Sequence, residues 1–330
     1  MGKTLLLSKD DLQKVLDIKV ALATTKEVFR AHGNNEVVMP AKVTLDLGES
    51  DAWPHYNAYV NSMPAYVGPF DIAGIKFAGG FWDNPRKGLA SIMGMIMLID
   101  PRTGIPLAIM EGSLITGLRT GAATAIGLEY LASDNAIVGL LGSGVQARFI
   151  VEALNELLKI KELKINDKIG ERARELEVYS RQQLGVNATV VSNGEQAVEN
   201  SDIIITATTS KQPVVTSRKL KKGATIAAIG SYREIDESVV KMADKIVVDS
   251  LEQTKHRGTL KDFFDKGVIG ERQIYAEIGE IMVGKKKGRE SDEELILYQP
   301  IGMGSEDVAL GKVAFDLASK ESLGEEFTFI

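Results

Sequence analysis

No cysteine occurs in the 330 residues, which excludes disulfides, thiolate catalysis and cysteine-ligated metals and fits a reducing compartment. Histidine is nearly as scarce. His32, His55 and His256 are the only three, and without His, Asp and Glu at ligand spacing no metal site is expected. Positive charge is not concentrated either. The 39 Lys and Arg are outnumbered by 45 Asp and Glu, giving a net charge of -6. The one basic run, Lys285-Lys286-Lys287, lies between Gly284 and Gly288 as a solvated loop would, so nucleic acid is not an expected partner. No apolar run reaches membrane-spanning length, and no membrane partner is expected. The apolar stretch after Lys3 is too short for a secretory leader, and Leu6 stands where a myristoylation signal needs Ser or Thr. Internal repeats and low-complexity tracts are missing too. The chain reads as a cytoplasmic protein, long enough for about two domains and a large core.

Ser8 ahead of Asp10-Asp11, with Leu12, Val15, Leu16, Val20 and Leu22 at helical spacing, predicts one capped amphipathic helix running toward Phe29 and ending near Gly33. Short strands then follow at 42–47, 55–63, 74–77, 93–99 and 106–110, punctuated by Pro54, Pro64, Pro69 and Asn84-Pro85, a pattern of antiparallel or mixed sheet. A helix rich in small residues covers 113–131. From 136 onward strands at 136–141, 162–166, 188–191, 203–207, 225–229 and 245–248 alternate with helices, among them 147–158 and 237–242. Near-continuous apolar strands in β-α alternation predict an α/β fold with a doubly wound parallel sheet. A last helix is expected at 305–318.

The sharpest motif lies in residues 135–167. The apolar run Ala136-Ile137-Val138-Gly139-Leu140-Leu141 breaks into Gly142-Ser143-Gly144-Val145-Gln146-Ala147 and enters a helix. This is the Gly-x-Gly-x-x-Ala dinucleotide fingerprint in its required strand–turn–helix setting. Gly142 permits the tight turn and Gly144 lets backbone approach a pyrophosphate. Ala147 keeps helix and strand close, and the helix N-terminus offers N–H donors to phosphate. Asp167, 25 positions after Gly142, stands where a carboxylate receives the adenosine ribose hydroxyls and disfavours a 2′-phosphate. NAD is thus the expected cofactor. Lys168 and Arg172 nearby keep NADP possible. A glycine-rich turn of purely structural use is the alternative.

Further motifs appear in order: Ser62-Met63-Pro64-Ala65, Gly74-Ile75-Lys76, Asn84-Pro85 with Gly88-Leu89, Ile99-Asp100-Pro101-Arg102-Thr103-Gly104-Ile105-Pro106, Thr116-Gly117-Leu118-Arg119-Thr120-Gly121-Ala122, Ala207-Thr208-Thr209-Ser210, Gly279-Glu280 and Gly288-Arg289. Over nearly its whole length the chain resembles the ornithine cyclodeaminase/mu-crystallin family, which includes an archaeal type of alanine dehydrogenase and several ketimine reductases. The resemblance implies a Rossmann domain over 121–303, and a substrate-binding and dimerisation domain over 1–120 to which 304–330 return. It implies hydride transfer between a nicotinamide and the α-carbon of a small amino acid or cyclic imine, in a cleft between the domains.

By the same resemblance Lys76 is the active-site lysine at the substrate carboxylate and reacting nitrogen; taken bare, a lysine after Gly-Ile on a strand is an edge charge. Arg119 serves substrate carboxylate or cofactor phosphate, against a capping or bridging ion pair as the structural alternative. Lys42 stands where a carboxylate-binding arginine is usual. Cofactor contacts are implied for Ser91, Arg119, Thr120, Gly142, Ser143, Gly144, Val145, Gln146, Asp167, Ala207, Thr208, Thr209, Gly230 and Ser231.

Two departures stand out. Ornithine-using members carry a glutamate two positions before Met-Pro, where this chain has Asn61. A loop aspartate of proton transfer is also usual just past Gly-Ser, but here Gly230-Ser231-Tyr232-Arg233-Glu234-Ile235-Asp236 runs on as though that loop were deleted. Tyr232, Glu234 and Asp236 are the substitutes at hand. The favoured function is therefore an NAD(P)-dependent amino-acid dehydrogenase or imine reductase. The alternatives are a cyclodeaminase that recycles bound NAD and a non-catalytic NAD(P)-binding protein of the mu-crystallin kind. His55, beside Trp53, Tyr56 and Tyr59, is either a pocket base or an ordinary core or surface histidine. The aromatic area of Trp53, Tyr56, Tyr59 and Tyr66 exceeds what a small sheet covers, so a homodimer is expected.

Overall fold

The computed structural model describes residues 2–48 and 55–329, so Trp53 and Pro54 lie outside the described residues. It divides into two compact units, Met1–Arg119 with Met303–Ile330, and Thr120–Gly302.

The first unit is built on β1 (Lys3–Leu7), β2 (Val37–Val38), β3 (Val43–Asp46), β4 (Ala58–Val67), β5 (Ile72–Phe81), β6 (Ile92–Ile99) and β7 (Pro106–Glu111). The second contains β8 (Ala136–Leu141), β9 (Ile160–Asn166), β10 (Ala188–Val190), β11 (Ile203–Thr206), β12 (Thr225–Ala228), β13 (Lys245–Val248), β14 (Ala276–Glu277) and β15 (Ile296–Gln299), and β16 (Glu325–Thr328) returns to the first.

In the first sheet the order is β16-β1-β7-β6-β5-β4-β2, with β3 also on β4. Residues paired across an antiparallel ladder share a face. Met63, Lys76, Ile96 and Met110 therefore form one row, and Ser62, Phe77, Met95 and Glu111 the row facing the other way. The first row is buried beneath the C-terminal helix Gly304–Lys320, against which the helix Ile18–Gly33 also packs. Close approach fixes two glycines here. A Cβ at Gly304 would lie 2.7 Å from the Met63 carbonyl oxygen, and one at Gly74 would lie 3.2 Å from Val308 Cγ2. The second row carries apolar side chains left exposed at its middle, between half-buried Ser62 and Glu111: Phe77 is 40% and Met95 44% exposed, and Val43, paired with Ser62, is 68%.

Three expectations need correction in this unit. The single helix toward Gly33 is two, Lys9–Val15 and Ile18–Gly33, because Asp17 adopts extended backbone and accepts from Val20 N–H at 2.8 Å, starting a new helix. The apolar stretch after Lys3, read only as too short for a leader, is β1, parallel to β7. His55 and Tyr56 precede β4 rather than lying on it.

The second sheet is parallel throughout, in the order β10-β9-β8-β11-β12-β15-β13-β14. The chain runs outward from β8 through β9 and β10, then resumes on the other side of β8 with β11 and β12. Such a reversal is the topological switch point at which doubly wound sheets bind ligands, beyond the carboxyl ends of the strands. The fold is α/β as expected. Two strands of this sheet were not foreseen: β15 inserts between β12 and β13, and β14 pairs with β13 at the sheet edge.

Candidate functional site

The carboxyl ends of β8, β9, β11 and β12 gather the fingerprint residues. Gly142 takes φ +96°, and a Cβ there would lie 2.5 Å from the Ala207 carbonyl oxygen, so both backbone and packing demand glycine. Gly144 is different. Its φ is -72° and a Cβ would meet nothing within 4 Å, so neither strain nor packing accounts for glycine there. It is the N-cap of the helix Val145–Leu157 and supplies no side-chain cap, which leaves first-turn N–H groups for an acceptor from outside. Val145 is 76% exposed on that turn, and the Oε1 of Gln146 is buried without a hydrogen-bond partner in the protein. An open approach at Gly144, an uncapped helix start and an orphaned side-chain oxygen together fit a dinucleotide.

Asp167 lies just past β9. Its Oδ2 accepts from Ser143 N–H at 2.7 Å and Ser143 Oγ at 3.0 Å, while Oδ1 accepts from Ile169 N–H at 2.7 Å. The carboxylate is thus locked against the fingerprint turn. Across the switch point Glu234, fully buried, accepts from Thr206 Oγ1, Thr208 N–H and Thr208 Oγ1 at 2.7 Å each and from Gly230 N–H at 2.8 Å. Burial raises its pKa against those bonds. Thr209 and Ser231 are exposed on the same edge. Thr120 is buried in the helix Ser113–Leu131, its carbonyl taking the Thr124 hydroxyl at 2.8 Å.

The first unit holds the second constellation. Lys76, only 1% exposed on β5, donates to Asp307 Oδ1 at 2.8 Å. The same oxygen accepts Arg119 Nε at 3.3 Å, and an Arg119 NH group donates to Glu306 Oε2 at 3.4 Å. Glu306 Oε2 also accepts Met303 N–H at 2.9 Å, closing a capping box at the helix start. Burial depresses the Lys76 ammonium to about 8. Asp307 opposes that fall, Arg119 adds to it, and Glu306 opposes it. Asn61 lies on the same sheet face, two positions before Met63, with its Oδ1 taking the Thr44 hydroxyl at 2.8 Å. Lys42 is half-buried just ahead of β3, and half-buried Ser91 offers its carbonyl to Phe81 N–H at 2.7 Å.

Residues 3–322 match the ornithine cyclodeaminase/mu-crystallin family. This chain belongs to that family. An alanine dehydrogenase from Archaeoglobus fulgidus is 36% identical over 332 residues, 99% of each chain. Among solved structures, an archaeal alanine dehydrogenase dimer with bound NAD superposes with a TM-score of 0.93 at 36% identity, across 99% of this chain and all of its own. The Delta(1)-pyrroline-2-carboxylate reductase of Thermococcus litoralis, in complex with NADH and L-proline, gives 0.92 at 33% identity over 98% of this chain and 99% of its own.

Within this member of the ornithine cyclodeaminase/mu-crystallin family the substitutes for the loop aspartate have other work. Glu234 is consumed by its four bonds, and Asp236 caps the helix Glu237–Met242 by accepting from Ser238 N–H at 2.9 Å. Half-buried Tyr232 lies 6.0 Å from the Lys211 ammonium. The acids that do meet a candidate catalytic group, Glu306 and Asp307, escaped the sequence reading. The available signal was a pair of adjacent acids opening a helix whose remaining face is apolar. That helix start reads as ordinary first-turn acid placement until the fold buries it.

Proposed function

We propose that this protein is a nicotinamide-dependent oxidoreductase interconverting a small amino acid, or cyclic imino acid, and its imine. NAD(H) is its cofactor, and a homodimer in the cytoplasm its working form. The observation that carries the reading is the buried Lys76–Asp307–Arg119 cluster. Two fixed cations suit a substrate carboxylate. An amine pushed to about 8 exchanges protons near neutrality, as amine oxidation requires. The first unit supplies these groups and the subunit contact through its exposed apolar sheet face. The second holds the dinucleotide at Gly142, Ser143, Gly144, Val145, Gln146, Asp167 and the strand ends at Ala207 to Thr209 and Gly230-Ser231. When bound, NAD(H) supplies the hydride acceptor or donor. The protein's residues anchor the carboxylate, with Lys42 a third charge, and manage the nitrogen's proton. Asn61 cannot neutralise a cationic side-chain amine, which favours net oxidoreduction over ornithine cyclisation.

The test is a panel of amino acids and cyclic imines with both cofactors, read as NADH formed or consumed in the steady state. Net turnover with at least one substrate is expected. Lys76→Ala is expected to lower it at least tenfold, as loss of a hydrogen bond to a charged group worth roughly 1.5–3 kcal/mol requires, while leaving NAD binding unchanged. Product without net NADH indicates a cyclodeaminase instead. Cofactor binding without turnover indicates a binding protein.

A further inference from the structure

The Lys76 amine sits where an isolated ammonium is not tolerated. The residue is 1% exposed, its ladder neighbours Met63 and Ile96 are apolar, and a buried lysine without a counter-charge loses its proton. Of the charged groups that act on it, Arg119 comes from the helix Ser113–Leu131, and Glu306 and Asp307 from the C-terminal helix. Consecutive positions on a helix diverge by about 100°, and the two acids divide accordingly. Glu306 turns to Arg119 and Met303 N–H, and Asp307 bonds both Lys76 and Arg119. Its other oxygen, Oδ2, is buried with no hydrogen-bond partner in the protein, so the carboxylate keeps accepting capacity that the fold does not use. A buried acid with unspent capacity carries a cost that packing alone does not justify.

We propose that Asp307 is the positioning residue of proton transfer, holding Lys76 at the reacting nitrogen and keeping its charged form available inside the core. This rests on the imine/amine reading above. In the reductive direction the Lys76 ammonium gives its Nζ proton to the imine nitrogen while the imine carbon receives the hydride, so imine, proton and hydride become the amine. In the oxidative direction hydride leaves the carbon and the amine's N–H proton passes to neutral Lys76, leaving imine and ammonium. Asp307 exchanges no proton with substrate. It stabilises the charge that Lys76 holds between exchanges.

Asp307→Asn keeps shape and removes charge. The titration of Lys76 is followed by NMR of protein carrying 13Cε-lysine, its signal identified by its loss in Lys76→Arg, beside pH profiles of kcat/KM in both directions. Removing the counter-charge is expected to lower the Lys76 titration by about one pH unit or more, a tenfold loss of proton affinity. The alkaline limb of reduction, which needs the ammonium, then moves to lower pH. The acid limb of oxidation, which needs the neutral amine, moves down with it. Asp307→Glu is expected to restore both. A titration and limbs within about 0.3 pH unit of wild type, a twofold change, with kcat lowered equally at all pH values, overturn the proposal. Where Asp307→Asn does not fold, Asp307→Ser is expected to shift the limbs and Asp307→Glu to leave them, and the reverse overturns it. The NMR titration needs no substrate, so failure of the functional reading and failure of this assignment are told apart.

Discussion

Gly142 and Gly144 occupy one turn, yet alanine at the two positions is expected to fail in opposite ways. At Gly144 the backbone, φ -72° and ψ -172°, is ordinary for alanine, and the added Cβ meets no atom within 4 Å. Exchanging glycine for alanine at an N-cap costs up to about 1 kcal/mol, while the stiffer unfolded chain returns about 0.4–1 kcal/mol. The protein without cofactor should therefore keep its stability to within about 1 kcal/mol. The methyl group instead occupies the approach to the helix N-terminus. Displacing a diphosphate from one or two charge-assisted N–H contacts, each worth roughly 1.5–3 kcal/mol, predicts NADH binding weaker by about tenfold to ten-thousandfold. Gly142→Ala forces an L-residue to φ +96° with its Cβ 2.5 Å from the Ala207 carbonyl oxygen. Left-handed backbone alone costs roughly 1–2 kcal/mol, so this variant is expected to lose more than about 2 kcal/mol whether or not cofactor binds. Urea unfolding without cofactor and NADH fluorescence titration measure the two quantities. If Gly144→Ala binds NADH within about threefold of wild type, under 1 kcal/mol, the open face at Gly144 has no part in cofactor binding.

Other tests follow from separate features. Asp167→Ser removes the carboxylate that would repel a 2′-phosphate and also releases Ser143 and Ile169. It should weaken NAD and lower the NADP-to-NAD ratio of dissociation constants at least tenfold, and an unchanged ratio means that Asp167 serves the turn alone. His32, hydrogen-bonded to Ser305 Oγ at 2.8 Å, is lowered by burial from 6.5 to about 4. Its unfolded form binds the proton first, so this residue's contribution is present above pH 6.5 and is lost as the pH falls toward 4. At about 1.36 kcal/mol per unit the loss is bounded at roughly 3 kcal/mol. His32→Gln should flatten the fall in urea midpoint between pH 7 and 4.5, and an equal fall in both proteins rules this origin out. Phe77 and Met95 oppose each other on the exposed sheet face, so Phe77→Glu is expected to convert a dimer to a monomer by light scattering. A wild-type monomer at micromolar concentration removes the basis for that expectation.

Sequence periodicity carried the α/β class because β8, β11, β12 and β13 are short apolar runs bounded by turns, the signature of strands buried on both faces. It did not find β15, whose Ile296–Gln299 run follows a helix of only five residues, Ile278–Met282, and a long polar stretch, nor β1 and β16, whose pairing joins opposite ends of the chain. Tertiary context decides such strands. The division at Asp17 was legible in principle, since Asp is a strong N-cap, but the apolar spacing on both sides concealed it. At the site, Lys76 and Arg119 were visible through their motifs. Asp307 was not, because a first-turn acid is ordinary on an exposed helix and significant only when Gly304 lets that helix lie so close to Met63 that a Cβ there would be 2.7 Å from the Met63 carbonyl oxygen.

The first unit closes only when Met303–Ile330 rejoin Met1–Arg119. On the ribosome the early strands must therefore wait while all of Thr120–Gly302 is made, roughly ten to forty seconds at about 5–20 residues per second. Until then the face that will bury Lys76 has no helix to cover it and the amine has no counter-ion. A chain that stalls just past the second unit can finish the parallel sheet but never the lysine's partner. The order of synthesis thus withholds acid–base competence until the last helix arrives, and leaves the half-made sheet, with its apolar rows open on both sides, as the species most in need of a chaperone.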